Sequence, residues 1–304
     1  MAVSHIPLPQ DFKRQANRSQ HWKEVVLWTV DLPPTAMVAA RALELLDNPK
    51  IAASKLSEII AMDPALATRT MRIANSWTFR RQREVTSLEQ AVMLIGLKNL
   101  KGCLVSASLR NADREVTRFE QLIWENSIAT ALACREICRR LRLAFEDEVY
   151  LLGLMHDFGK LVLLHRVPDQ YGKVLPATKK GMSYLEAERK VTRFSHPLIG
   201  ALVAIKWNFS EEICRIILKH HDKLNDFNTK DAKEIEIKCA IVQLGDAITH
   251  HLGLGHEKGY PPQDQTVSYL ARAFRFTVHD LREIADGVRV NFDSIQNALY
   301  DSHR

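Results

Sequence analysis

The chain has 304 residues, 46% of them hydrophobic, enough for one large domain or two medium ones, and only 12 Gly and 11 Pro, which argues against a turn-rich all-β fold. A formal charge of +6 permits nucleic acid without requiring it, and no apolar run approaches the ~18 residues of a membrane-spanning helix. The opening MAVSHIPLPQDFKRQ has no apolar signal segment and the five cysteines are an odd number, so reduced thiols and a cytoplasmic location are expected.

Residues 1–24 are polar, carry Lys13, Arg14 and Arg18, and read as an arm. Leu32-Pro33-Pro34 stops any preceding helix, and Thr35 can cap a helix over about 36–46 that Asn48-Pro49 ends. Ser54 is expected to cap a helix with Leu56, Ile59 and Ile60 on its apolar face. Asp63-Pro64 opens the next, with proline at the first helical position. Two short helices joined by a tight turn can read DNA, and Arg69 and Arg72 share a face, with Arg80, Arg81 and Arg83 following. An ordinary helical hairpin with a basic rim is the favoured reading of residues 54–76, because such pairs are common in all-α proteins.

Ser87 starts another helix, and NLKGCLVSASL reads as a buried one. A charged connector over 111–120 leads into a long amphipathic helix from about 119 to 141, with Leu122, Ile123, Ile128, Leu132 and Ile137 at helical spacing. Cys134 and Cys138 in that helix read as small buried hydrophobes. A helix over 146–155 delivers His156-Asp157, and Pro168 stops the one after it. Residues 171–180 read as a short basic segment. Helices follow over 183–192, from His196-Pro197, from Ser210 to His220-His221, over 235–252, and at about 265–275 and 278–300. No alternating run is long enough to argue for a sheet, so the expected fold class is all-α.

Six metal-type side chains fall at helix ends or one turn inside them: His156, Asp157, His196, His220, His221 and Asp246. Helix ends gathered at one pole of a bundle can converge such residues, and imidazoles with a bridging carboxylate suit one or two divalent ions. Fe, Mn, Zn, Ni and Mg all remain open.

The order of these residues resembles the HD-domain metal-dependent phosphohydrolases, and most closely their HDOD (HD-related output domain) branch. The resemblance is carried by Leu32-Pro33-Pro34, by Asp63-Pro64-Ala65-Leu66 with Ala74-Asn75-Ser76, and by Ser87-Leu88-Glu89-Gln90-Ala91 with Leu94-Ile95-Gly96-Leu97. In the second half Gly153-Leu154-Met155-His156-Asp157-Phe158-Gly159-Lys160, His196 with Gly200, Trp207 and His220-His221 carry it. It implies an HD-like helical bundle over 119–260 behind an N-terminal helical lobe over 25–118, with the helices of 261–304 packed on the bundle. It also implies one metal on His156, Asp157 and Asp246, and a second on Asp157, His196, His220 and His221. The family's first histidine, about thirty residues before the His-Asp pair, is replaced here by Asn126, so the site is expected to be degenerate on one side. Gly259-Tyr260-Pro261 lies too far beyond His220-His221 to match the signature of the neighbouring HD-GYP branch and reads as a loop.

The expected function is therefore a bacterial signal-transduction protein acting through protein partners or a nucleotide, with no membrane and no nucleic acid. The alternative is a metal-dependent phosphohydrolase, such as a nucleotide or cyclic-dinucleotide phosphodiesterase, in which Asp157 and Lys160 take part in catalysis.

Overall fold

All the described elements are α-helices and no strand occurs among the described residues. The computed structural model describes residues 51–75, 85–97, 117–207, 209–222, 232–257, 260 and 263–300, with isolated positions 25, 26, 38, 42, 45, 46, 48 and 100. Of the expected helix over 36–46, positions 38, 42, 45 and 46 are described and helical. The expected arm, the stop at 32–34, the buried helix after Asn99 except Leu100, the arginines at 80, 81 and 83, and Gly259 and Pro261 lie outside the described residues.

Local chemistry sets most helix starts. Helices α1 (Ala53–Ile60), α2 (Pro64–Ala74) and α3 (Leu88–Ile95) make up the described N-terminal part, with α3 packed on both others. Asp63 caps α2 by accepting the Leu66 N–H at 2.8 Å, and Ser87 caps α3 by accepting that of Gln90. Ser54 does not cap: α1 begins one residue earlier, so the Ser54 side chain already lies in the first turn, while its carbonyl accepts the Ser57 hydroxyl. In α2 only Arg72 and Ile73 escape burial, and Arg72 lies over the Trp207 ring. A groove-reading helix needs an exposed face, which α2 lacks.

Helix α4 (Arg118–Arg140) is the spine. A capping box between Thr117 and Glu120 starts it inside the segment expected as a connector. Helices α5 (Glu146–Met155), α12 (Glu234–His251) and α14 (Val278–Tyr300) pack along it, and α13 (Asp264–Phe274) packs on α12. Cys134 and Cys138 are buried thiols on α4, as read from the sequence. Ile284, Val288 and Phe292 recur every four residues and bury one face of α14, where Phe292 meets Trp124.

Helix α6 (Phe158–Arg166) follows α5 directly. After the short α7 (Pro168–Tyr171), the segment 171–180 expected as merely basic instead contains a helix, α8 (Val174–Thr178). Its composition hid Tyr171, which is fully buried and stacks on Phe119 at 5.2 Å. Then come α9 (Tyr184–Val191), α10 (His196–Lys206) and α11 (Glu211–Lys219), with α10 packed between α6 and α11. The α6–α10 crossing depends on Gly159. A Cβ there would overlap the His196 carbonyl oxygen and lie 2.9 Å from the Gly200 nitrogen.

Lys238 ties three helices together. Its ammonium, 2% exposed, meets Glu148 of α5 at 2.5 Å, Glu212 of α11 at 2.8 Å and Glu234 of α12 at 2.7 Å. Lys238→Met leaves three carboxylates crowded without a counter-charge. Because those carboxylates are partly exposed, the expected cost is about 2 kcal/mol, below the ~3–5 kcal/mol of a fully buried pair. Thermal denaturation at pH 7 reads it.

Candidate metal centre

The junction of α5 and α6, the start of α10, the end of α11 and the middle of α12 meet at one pole. They bring His156, Asp157, His196, His220, His221 and Asp246 together there. The donor atoms of Asp157, His196, His220 and His221 all lie within 4.8 Å of one another. Asp157 Oδ1 is 3.0 Å from His196 Nε2 and 3.6 Å from His220 Nε2. His196 Nε2 is 3.3 Å from His220 Nε2 and 3.1 Å from His221 Nε2. The other oxygen, Asp157 Oδ2, faces His156 Nε2 at 3.4 Å, and His156 Nε2 lies 3.5 Å from Asp246 Oδ1. Asp157 thus turns its two oxygens toward two different groups of donors, as a bridging carboxylate must.

The outer nitrogens decide which way the imidazoles face. A carbonyl can only accept, so His156 Nδ1–H donates to Gly153 O and His220 Nδ1–H to Ile217 O, both at 2.7 Å. His196 Nδ1–H donates to Glu188 Oε2 at 2.8 Å. In its neutral form each ring then has an Nε2 lone pair aimed at the centre. Lone pairs 3.3 Å apart repel unless a cation or proton lies between them. His156 Nε2 and Asp157 Oδ1 are buried with no hydrogen-bond partner. Bonds of about 2.0–2.2 Å to one ion put neighbouring donors roughly 2.8–3.6 Å apart. The separations observed at this pole match that spacing, and the donor set fits a divalent metal.

Protonation follows the same layout. Burial pushes His220 down to about 4 and His221 well below the ordinary range, so both are neutral and ligand-ready. Burial opposes charge on His156 as well, but the Asp157 and Asp246 carboxylates outweigh it and hold it up at about 10. Burial likewise works against the Asp157 anion, and His156, Lys160 and His196 overcome it, keeping the carboxyl well below the usual range. Lys160 Nζ meets Asp157 Oδ2 at 2.5 Å and lies 4.2 Å from the centre of the Tyr184 ring.

Glu188 was not singled out in the sequence, where it is one charge among many in a polar helix. It is fully buried, accepts both the backbone N–H and the Nδ1–H of His196, and takes the Tyr171 hydroxyl at 2.6 Å. It orients His196 and raises its basicity. Glu188→Gln keeps the shape but removes the charge. The expected result is a metal affinity lower by roughly 10–100-fold with little change in helicity, read by competition against a chelating dye.

Comparison with known proteins places this geometry. The HDOD domain family model matches residues 32–223, more than half of the chain. The chain belongs to the HDOD family. A Treponema pallidum (strain Nichols) protein is 22% identical over 97% of this chain, which spans only 56% of that relative's length. The crystal structure of the MmoQ response regulator from Methylococcus capsulatus shares the fold with a TM-score of 0.65 at 23% identity. That match covers 85% of this chain and 99% of MmoQ. An HDOD domain protein from Geobacter sulfurreducens matches with a TM-score of 0.53 at 21% identity, over 93% of this chain and 97% of that one.

In this HDOD protein Asn126 lies on α4 beside Asp246, to whose Oδ1 its amide Nδ2 donates at 3.2 Å; the Asn126 carbonyl oxygen is buried without a partner. An amide that presents its N–H cannot ligate through that atom. Tyr260, read from the sequence as a loop residue, stacks on His250 at 4.8 Å and on Tyr184 at 5.1 Å. The Tyr184 ring of this stack lies over Lys160. No period or spacing in the sequence signals that cover, since it joins α9, α12 and a loop. Among the described residues no helix is long and apolar enough to cross a membrane.

Proposed function

We propose that this HDOD protein is a signal-transduction module that works by binding a protein partner or a nucleotide, around a closed metal pole with one weakened side. One observation carries the reading: His156, Asp157, Lys160, His196, His220 and Asp246 are each 4% exposed or less. A phosphate ester has no open face of the donor set to approach, and only His221 is partly exposed. The MmoQ response regulator, similar in fold, supports the signalling context. A cytoplasmic site of action belongs to the same reading.

The phosphohydrolase reading rests on Asp157, whose two oxygens face two donor groups. Bound there, a metal pair would supply a hydroxide nucleophile at neutral pH. Asp157 would bridge, and Lys160, freed from its carboxylate, would hold a phosphate oxygen as a point charge. A phosphodiesterase screen with Mn²⁺ or Fe²⁺ separates the readings. The wild-type chain is expected to show no turnover above its His196→Ala variant, and the same is expected of Asn126→His, which opens no face of the pole. Metal-dependent turnover in the wild type above that of His196→Ala overturns the module reading. DNA binding through residues 54–76 is tested by titrating affinity against salt, with no salt-dependent association expected.

A further inference from the structure

A cavity lies away from the metal pole, where the N-terminal helices α1 and α3 face α4, α5 and α14. It measures about 350 Å³. We infer that it binds a small zwitterion the size of a single amino acid, whose carboxylate meets Arg135 and whose ammonium meets Glu89 and Asp147. The site does not rest on the metal reading: Arg135 lies nine residues, roughly 13 Å, beyond Asn126 along α4.

Arg135 carries the inference. Its guanidinium lines the cavity and lies over the Tyr150 ring, 4.7 Å from the ring centre. It makes no hydrogen bond and no ion pair among the described residues, and its Nε–H is buried without an acceptor. The next arginines of the same helix are different: Arg139 has Glu136 and Glu146, and Arg140 has Asp280 and Glu283. A guanidinium offers a fixed fork of N–H donors that a carboxylate meets with two bonds at once. An anion entering the cavity supplies the acceptor that the fold does not, and relieves the cost of leaving a charged donor unmatched.

The other walls set the rest of the ligand. Glu89, in the first turn of α3, and Asp147, in the first turn of α5, also line the cavity and have no ion pair among the described residues. A helix dipole favours an acid in a first turn, so these carboxylates by themselves call for no ligand. Beside Arg135 they select one: they repel a multiply charged anion such as a phosphate ester and favour an anion that brings its own cation. Glu58 lines the cavity too, but Lys55 meets it at 2.7 Å. Leu132, Leu151 and Ile295 add apolar wall against which an aliphatic or aromatic side chain can pack. The volume is at the small end of the roughly 300–1,000 Å³ usual for ligand sites, which suits one amino acid.

The test is isothermal titration of the full chain with each of the common amino acids, with inorganic phosphate and with adenosine monophosphate. Saturable binding is expected of at least one apolar amino acid and of neither phosphate compound. The carboxamide and the N-acetyl form of that amino acid should bind roughly 10–100-fold more weakly, because each loses a charged hydrogen bond. The amino acid itself should lose as much on Arg135→Met and recover part of it on Arg135→Lys. Circular dichroism checks the fold of each variant. Asp147→Asn, at an exposed position, should also weaken binding, and it carries the test if Arg135→Met fails to fold. Affinity should be the same in chelator-stripped protein, so the metal reading and this site stand or fall separately. No saturable binding of any amino acid overturns the proposal, as does binding of the phosphate compounds alone. A carboxamide that binds as tightly as the acid, or an affinity unmoved in the folded variant, overturns it as well.

Discussion

Gly159→Ala is expected to destabilise the protein strongly and to disturb its metal pole. The added carbon would press on the His196 carbonyl and the Gly200 nitrogen, and backbone cannot rotate away as a side-chain tip can. Overpacking costs roughly 1–3 kcal/mol where side chains can adjust, so about 3 kcal/mol is expected here, or about 5 °C in melting temperature. The damage reaches the site because α6 carries Lys160 and α10 begins with His196. Forcing these helices apart lengthens the 3.0 Å approach of Asp157 to His196, so metal affinity should fall with stability. Gly287→Ala is the control. Its Cβ would meet only Glu136 side-chain atoms, at 3.5 Å or beyond, within α14, where alanine favours the helix by up to about 1 kcal/mol. A Gly159→Ala chain as stable as the Gly287→Ala chain would refute the close-crossing argument.

Metal addition is expected to produce the second large effect. An ion at about 1,000 times its dissociation constant stabilises the folded state by about 4 kcal/mol, or roughly 6 °C in a chain of this size. The chelator-stripped protein should therefore melt about 6 °C below the Mn²⁺-loaded one, and His220→Ala should abolish most of the difference. A melting temperature indifferent to both chelator and metal would remove the donor-set argument.

The metal-free chain also has a signed pH profile. His220 ionises at about 4 when folded against 6.5 in the unfolded chain. Between those values the unfolded chain takes up the proton first, so stability falls as pH drops from 6.5 toward 4. His156 is raised to about 10. Its contribution is complete below 6.5 and is lost as pH rises toward 10. Denaturant midpoints of the stripped protein should therefore peak near pH 6.5.

Much of the architecture is legible in the sequence because it is local. Asp63-Pro64, Ser183 and Ser210 each mark a helix start within a turn of where the structure places it, since a cap needs only neighbouring backbone N–H groups. Ser54 fails the same test because a good capping residue one position inside a helix looks identical in sequence. The basic stretch after Tyr171 hides a short helix, Val174–Thr178, behind the buried Tyr171 that ends the turn before it.

For the candidate metal pole, the sequence by itself determined which side chains to consider: a His-Asp pair, three further histidines and a distant aspartate at helix ends, together with the asparagine at 126. Only the tertiary structure decided how they meet. The two directions of the Asp157 carboxylate depend on the crossing of α6 with α10, which one glycine contact sets. Glu188 and Tyr171 reach His196 across three separate helices. His250 shares a face with Asp246 in any α-helix, but the nearness of that face to His156 is a matter of how α12 packs against α5. A helix period predicts which side chains point the same way, while the angle between helices determines what they point at.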